Sequence, residues 1–319
     1  MKKYSKRIIK YIIILLCVIS ILPLLIGKNY LYKAIRYNFA DIDDYRIFDN
    51  RTVATARPEP WKFSSDYGSI QLPDSLEQYL TQLQSVGVAL IQNRELVLEK
   101  YWDGYNDSSL SNSFSVAKSI TGILTGAAIR DGYISSVNDP VAKYLSSFAE
   151  EEKSKVTIKD LLTMSSGSNW NESYANPLSE TTELYYGRDV FATANRVKII
   201  HTPGTLHEYK SGDTQLLGLI VEKATGKTLS EYAAEKLWEP LGAEHPALWS
   251  IDRPDGNEKA YCCFNTNARD FARIGQFMLD SGRINGNRVI DSLYFIQSVT
   301  PCLITDANND PCNYYGYQW

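Results

Sequence analysis

Ser115 and Lys118 stand three residues apart at the head of an apolar run, Phe114-Ser115-Val116-Ala117-Lys118-Ser119-Ile120-Thr121-Gly122. On a helix this spacing puts both side chains on one face. An amine one turn from a hydroxyl can take its proton when burial or neighbouring charge lowers the lysine pKa, so the pair suits nucleophilic acyl transfer. At a first helical turn Ser115 also gains from unpaired backbone N–H groups and the positive helix end. A Ser-x-x-Lys quartet arises by chance about once in a chain of this length, so a second element is needed. Pro203-Gly204-Thr205-Leu206-His207-Glu208-Tyr209-Lys210-Ser211-Gly212 offers one, because Tyr209 and Ser211 are displayed from one loop ahead of an apolar helix. A tyrosine there can pass protons between nucleophile and leaving group. Tyr209 is one of 22 tyrosines, so its position alone does not separate this role from packing.

The elements that must position these groups follow from periodicity and punctuation. Val86 to Ile91 and Glu95 to Trp102 flank Gln92-Asn93-Arg94 and predict a hairpin opening an antiparallel sheet. A helix is expected from near Ser115, burying Val116, Ile120, Ile123, Leu124 and Ala127 and stopping at Asp131-Gly132. Thr157 with Asp160 predicts a capped helix within Lys155 to Met164. Further helices are expected over Thr214 to Ala224, ending at Gly226, from Thr228 through Leu237 to Pro240, and from Asn267 with Asp270 through Leu279, closed by Gly282. Residues 28–75 read as an irregular approach, with Arg57-Pro58-Glu59-Pro60 as a breaker. Tyr314 to Trp319 reads as the start of a strand. A sheet so poor in strands after so much helix suggests a chain that ends early inside an α/β domain.

Composition narrows the class. The 319 residues carry 33 basic and 37 acidic side chains, and 44% are hydrophobic, which is enough for a large core. Lys2, Lys3, Lys6, Arg7 and Lys10 crowd the first ten residues; the remainder, with 28 basic against 37 acidic residues, has a net charge of −9 and no nucleic-acid footprint. The run Tyr11 to Gly27 is at the short end of what spans a membrane. With basic residues before it, it is expected to be an uncleaved anchor placing the rest outside the cytoplasm. A cleaved signal and a buried helix are the alternatives, although no small-x-small cleavage site stands out.

Export would favour disulfides among Cys262, Cys263, Cys302 and Cys312. Cys302 and Cys312 enclose a polar loop. Direct Cys262–Cys263 pairing would be strained, so bridges between the two groups are equally open. Zinc is set aside because neither pair has C-x-x-C spacing and His245 is distant in sequence. His201 reads as a loop residue, and His201, His207 and His245 show no metal-ligand spacing. Asp270 and Arg273 share a helix face and read as a solvated or ion-paired structural pair.

Together, Ser115-x-x-Lys118, Tyr209-x-Ser211, Leu217-Gly218-Leu219-Ile220, Thr225-Gly226-Lys227 and Trp238-Glu239-Pro240-Leu241-Gly242 resemble the serine beta-lactamase/D,D-peptidase superfamily, in its class C-like branch. Met164-Ser165-Ser166-Gly167, Trp170-Asn171-Glu172-Ser173-Tyr174-x-x-Pro177, Ala268-Arg269-Asp270-x-Ala272-Arg273-x-Gly275 and Tyr315-Gly316-Tyr317-Gln318-Trp319 point within it to the 6-aminohexanoate-dimer hydrolases and related esterases. The resemblance runs from about residue 70 to the end. It implies Ser115 as acylated nucleophile, Lys118 as general base, and Tyr209 in a Tyr-x-Asn motif whose asparagine is replaced by Ser211. It also implies Tyr174 over the pocket, helping to bind or protonate an amide, with Trp170 nearby; both could equally be pocket-wall packing. Family members continue past the Tyr-Gly-Tyr-x-Trp segment to a Lys/His-x-Gly strand that completes the oxyanion hole. Losing such a donor costs about 2.7–4 kcal/mol, so weak activity or poor folding is expected of residues 1–319.

The expected fold is thus α/β (α+β), an antiparallel sheet flanked by helices with an inserted mainly helical domain. The divisions are a basic tail (1–10), the anchor or signal (11–27), the approach (28–75), the first α/β part (76–130), the helical domain (131–255) and the second α/β part (256–319). The expected activity is a cofactor-free serine hydrolase acting on a small amide, an ester or a peptidoglycan-like substrate at the outer face of a membrane. A penicillin-binding D,D-peptidase or cell-wall sensor and an inactive binding domain are the alternatives.

Overall fold

The computed structural model describes residues 9–11, 18 and 20–319. In chain order it has helix α1 (Tyr30–Tyr37), strands β1 (Asp49–Val53) and β2 (Lys62–Phe63), helix α2 (Asp74–Gln82), and strands β3 (Gly87–Gln92), β4 (Glu95–Tyr101) and β5 (Ser111–Asn112). Then come α3 (Val116–Arg130), α4 (Ile158–Leu162), α5 (Glu180–Tyr186), α6 (Val190–Asn195), β6 (Leu206–His207), α7 (Ser211–Thr225) and α8 (Leu229–Ala233). Strands β7 (Ala247–Ile251) and β8 (Phe264–Thr266), helix α9 (Ala268–Leu279), the hairpin β9 (Arg283–Ile284) and β10 (Asn287–Arg288), helix α10 (Ser292–Val299) and strand β11 (Thr305–Asp306) follow. The result is the expected mixed α/β fold with antiparallel sheet and flanking helices.

Local signals account for many of these elements. The β3–β4 hairpin turns on Asn93 and Arg94, both at positive φ (52° and 65°), as a two-residue turn matching strand twist requires. Leu96, Val97 and Leu98 of β4 are buried, and β4 lies between β3 and β2. Thr157 and Asp160 cap α4 reciprocally, and Thr228 and Glu231 do the same for α8. Helix α7 ends on Gly226 at φ 70°, a left-handed cap that favours glycine. Asp270 and Arg273 of α9 are buried and ion-paired at 3.0 Å, with Glu244 3.1 Å from the same guanidinium.

A second sheet, ordered β1-β7-β8-β5 and antiparallel throughout, sets up the site. The segment 28–75, expected to be irregular, supplies α1, β1 and β2, because β1 finds its partner β7 about two hundred residues later, where no local signal reaches. Strand β5 pairs with β8 (Ser111 opposite Thr266, Asn112 opposite Asn265), so the chain entering α3 is held beside Tyr261–Cys263.

Helix α3 is buried from Ala117 to Ala128 apart from half-exposed Ser119. At Gly126 a Cβ would come within 2.5 Å of the Tyr294 ring, and the Tyr294 hydroxyl donates to the Gly122 carbonyl at 2.6 Å. The C-terminal segment presses on the same helix. It is not the expected strand: Gly316 turns the chain, Gln318 sits at φ 65°, and its buried amide donates to the Leu161 and Leu162 carbonyls at 3.1 and 3.0 Å. Thr214 donates to Gln318 Oε1 at 2.7 Å, and Ser119 to the Gln318 carbonyl at 2.7 Å. Satisfying these buried groups wins over extension. Gln318→Ala is expected to cost about 2–3 kcal/mol in denaturant unfolding, through the stranded Thr214 hydroxyl, two lost amide bonds and a cavity; an unchanged midpoint would refute this account.

Two further expectations are corrected. The run 11–27 lies partly outside the described residues, and among those described no helix is long and apolar enough to cross a membrane. That overturns the single N-terminal anchor and the membrane placement built on it. The chain turns at Gly27 (φ 70°) and enters α1, whose Tyr30, Leu31 and Ala34 are buried in the core. Among the cysteines, Cys262 and Cys263 are bonded to each other (Sγ–Sγ 2.04 Å), whereas Cys302 and Cys312 remain thiols. Neither the Cys302–Cys312 bridge nor one between the two groups is formed; the tight Tyr261–Cys263 turn before β8 brings neighbouring residues together instead.

Candidate active site

The chain approaches Ser115 through Phe114, which sits at φ 43°, a region where a bulky residue is strained. The Asn112 side chain holds that backbone by accepting from the Phe114 N–H at 2.9 Å. Ser115 follows as the exposed residue preceding α3, and one turn on Lys118 is buried at 2% exposure. The Lys118 ammonium nitrogen lies 3.2 Å from Ser115 Oγ and 3.0 Å from the Tyr261 carbonyl, delivered by the chain leading into β8. Burial pushes the Lys118 pKa down to about 8, while the Glu172 carboxylate pulls it upward.

The loop before α7 brings Tyr209 to the same place. Lys118 Nζ is 4.9 Å from the centre of the Tyr209 ring. Burial raises the Tyr209 pKa, and a hydrogen bond with the Ser115 side chain opposes the rise. Ser115, Lys118 and Tyr209 therefore meet although almost a hundred residues separate the first from the last. Tyr315 meets the Tyr209 ring edge-on, with centroids 6.2 Å apart.

Ser211, Tyr174 and Trp170 converge on a residue that the sequence reading did not nominate. Glu172 Oε2 accepts from the Ser211 N–H at 2.7 Å and from Trp170 Nε1 at 2.8 Å; Oε1 accepts from Ser211 Oγ at 2.7 Å and from the Tyr174 hydroxyl at 2.8 Å. Tyr174 is 68% exposed, and its pKa is raised by partial burial and then by Glu172. Trp170 is buried against Gly212, where a Cβ would come within 2.4 Å of its ring, so it supports the loop and does not line the cavity. Nearby, Asp213 is buried and accepts from Ser166 at 2.7 Å; burial raises its pKa to about 7.

Part of this cluster borders a cavity of about 570 Å³. Ser115, Lys118, Tyr174, Ser211 and Tyr261 line it, and the opposite wall includes Ile35, Asn38 and Phe39 from α1 and the turn after it. Among the described residues, Lys118 is the only formally charged side chain in that lining. Glu172 was within reach of the sequence, since it stands inside the Trp170-Asn171-Glu172-Ser173-Tyr174 run, between the two aromatic residues. The Tyr261 carbonyl and the α1 wall had no sequence signal, because both arise from pairing of segments far apart in the chain.

Residues 73–293 match the family described as Beta-lactamase. The chain belongs to the beta-lactamase family. It is 30% identical over 239 residues to the 6-aminohexanoate-dimer hydrolase of Paenarthrobacter ureafaciens, covering 72% of this chain and 60% of that protein. It thus spans less than two thirds of the length of that relative. Over 117 residues it is 34% identical to a protein of Escherichia coli O157:H7 named "Putative D-alanyl-D-alanine carboxypeptidase", covering 34% of this chain and 26% of the other. The solved structure named "Putative 6-aminohexanoate-dimer hydrolase from Bacillus anthracis" superposes with a TM-score of 0.75 at 23% identity, over 91% of this chain and 81% of that one. The family fold and its hydrolase relatives agree with the resemblance carried by the motifs.

Proposed function

We propose that this chain carries the acylation centre of a serine hydrolase acting on neutral small amides or esters. The observation that supports it most is the buried Lys118 amine, 3.2 Å from the Ser115 hydroxyl with a pKa lowered to about 8. In its neutral form Lys118 accepts the Ser115 proton as Oγ attacks the substrate carbonyl. The Ser115 N–H, at the positive end of α3, is one donor for the oxyanion that forms. Collapse of the tetrahedral intermediate breaks the bond to the leaving amine or alcohol, which takes its proton from Lys118 by way of the Tyr209 phenol. Water then attacks acyl-Ser115, gives its proton back along the same route, and releases the acid.

The cavity lining supports the substrate class. With Ile35, Phe39, Phe114, Pro177 and Tyr186 around it and no arginine among the described residues of its lining, the chamber suits an apolar acyl group. The relative named for the 6-aminohexanoate dimer supports a small linear amide as the scissile bond. Exposure to a fluorophosphonate followed by peptide mass spectrometry tests the reading, together with hydrolysis of p-nitrophenyl esters of graded acyl length. An adduct on Ser115 and turnover above the buffer rate are expected; labelling confined to another residue would refute it.

The lysine also fixes the pH dependence. Acylation should increase with pH and level off above an apparent pKa near 8, because the neutral amine is the reactive form. Lys118 is lowered from its ordinary 10.5, so the unfolded chain binds the extra proton between the two values. Its contribution to stability therefore rises from pH 8 to 10.5, by about 3 kcal/mol. A rate of acylation that falls across pH 7 to 9 would contradict this assignment.

A further inference from the structure

Behind the Tyr209 loop lies a cluster of donors that the acylation chemistry does not use. Strands β6 and β11 pair in parallel, with Asp306 opposite His207, and this lays the loop 302–312 over His207. The loop is closed on itself: the Cys312 N–H donates to the Ile304 carbonyl at 2.8 Å, and the Leu303 N–H to the Cys312 carbonyl at 3.1 Å. As a result one donor atom from each of His207, Cys302 and Cys312 lies within 4.8 Å of the other two. His207 and Cys312 are buried and Cys302 is half-buried. The imidazole is held by its Nδ1, 2.9 Å from the Thr163 carbonyl, and flanked by the Tyr315 and Tyr314 rings at 5.2 and 5.7 Å.

We propose that His207, Cys302 and Cys312 form a zinc site that fastens the segment 302–315 to the loop carrying Tyr209. Two sulfurs and an imidazole are the donor set that zinc prefers, at a mutual spacing a tetrahedral ion can span with small adjustments. Nδ1–H bound to a backbone carbonyl is the outer contact typical of metal-bound histidine, and it leaves Nε2 with the lone pair. Binding releases the two thiol protons to solvent, and the half-buried Cys302 side leaves a fourth position for water. The ion's place, two residues from Tyr209, makes it a positioning element and gives it no part in the acyl transfer.

The test uses the full chain purified under reducing conditions without chelator. About one zinc per chain is expected by elemental analysis. Cobalt(II) added to the stripped protein should give a thiolate-to-cobalt charge-transfer band, absent in Cys312→Ser and His207→Gln. Cys302→Ser removes the least buried ligand, so it should keep the native circular dichroism while losing most of the zinc. Background metal in the folded, reduced protein with no cobalt band overturns the proposal, as does wild-type zinc content in folded Cys302→Ser. A Cys302–Cys312 disulfide in the purified protein that persists in excess zinc and reductant overturns it too. None of these readouts depends on hydrolase activity.

Discussion

Ser115→Ala should abolish fluorophosphonate labelling and reduce ester turnover by on the order of 10⁴-fold or more, with the fold intact. The magnitude follows from the role: without Oγ there is no atom to acylate, and Lys118 and Tyr209 have no proton to move. The intact fold follows from position. Ser115 is exposed, and among the described residues its hydroxyl bonds to the two groups proposed to work with it, so removal leaves neither a cavity nor an unpaired buried group. Lys118 keeps its contact with the Tyr261 carbonyl. The melting temperature should move by no more than about 2 °C. Wild-type turnover by a folded Ser115→Ala protein would end the acyl-transfer reading. A large loss of stability would show that Ser115 is structural.

Glu172 gives the second large effect, and it separates two roles. Glu172→Ala strands the Ser211 N–H, Ser211 Oγ and Tyr174 hydroxyl, while Trp170 Nε1 retains Thr181 Oγ1 at 3.0 Å. A loss of about 3 kcal/mol in unfolding is expected, because the buried Ser211 N–H and hydroxyl lose a charged acceptor. Glu172→Gln keeps the shape and removes the charge that holds the Lys118 pKa up. The acid limb of the acylation profile should then move to lower pH, with Lys118 neutral over a wider range. An unmoved limb would mean that Glu172 acts on the site through structure alone. Unchanged stability in the alanine variant would remove it as the hub of the loop.

The contrast between what local sequence reveals and what it hides is clear at this site. Ser115 and Lys118 are one helical turn apart, so their meeting needs only α3, and the capping signals of α4, α8 and α9 are equally local. Tyr209 could be nominated from its motif, but its approach to Lys118 depends on the placing of α7 and the loop before it. Tyr261 was invisible, because what matters is a backbone carbonyl whose place is set by the pairing of β5 with β8. The strand β1, the α1 wall and the inward turn of Gln318 share that character. Each rests on contacts across long stretches of chain, which pattern and propensity do not encode. The apolar run at residues 11–27 lies partly outside the described residues, and hydropathy did not foresee that Tyr30, Leu31 and Ala34 just beyond it belong to the core.

The glycines of α3 have a wider consequence. Gly126 admits the Tyr294 ring, and the Gly122 carbonyl takes the Tyr294 hydroxyl, while Ser119 on the same helix holds the Gln318 carbonyl. The segment nearest the C-terminus is thus clamped to the rod that bears the nucleophile. Neither can loosen alone without uncovering the other, which makes the two one cooperative block and ties the geometry of Ser115 to side chains nearly two hundred positions away.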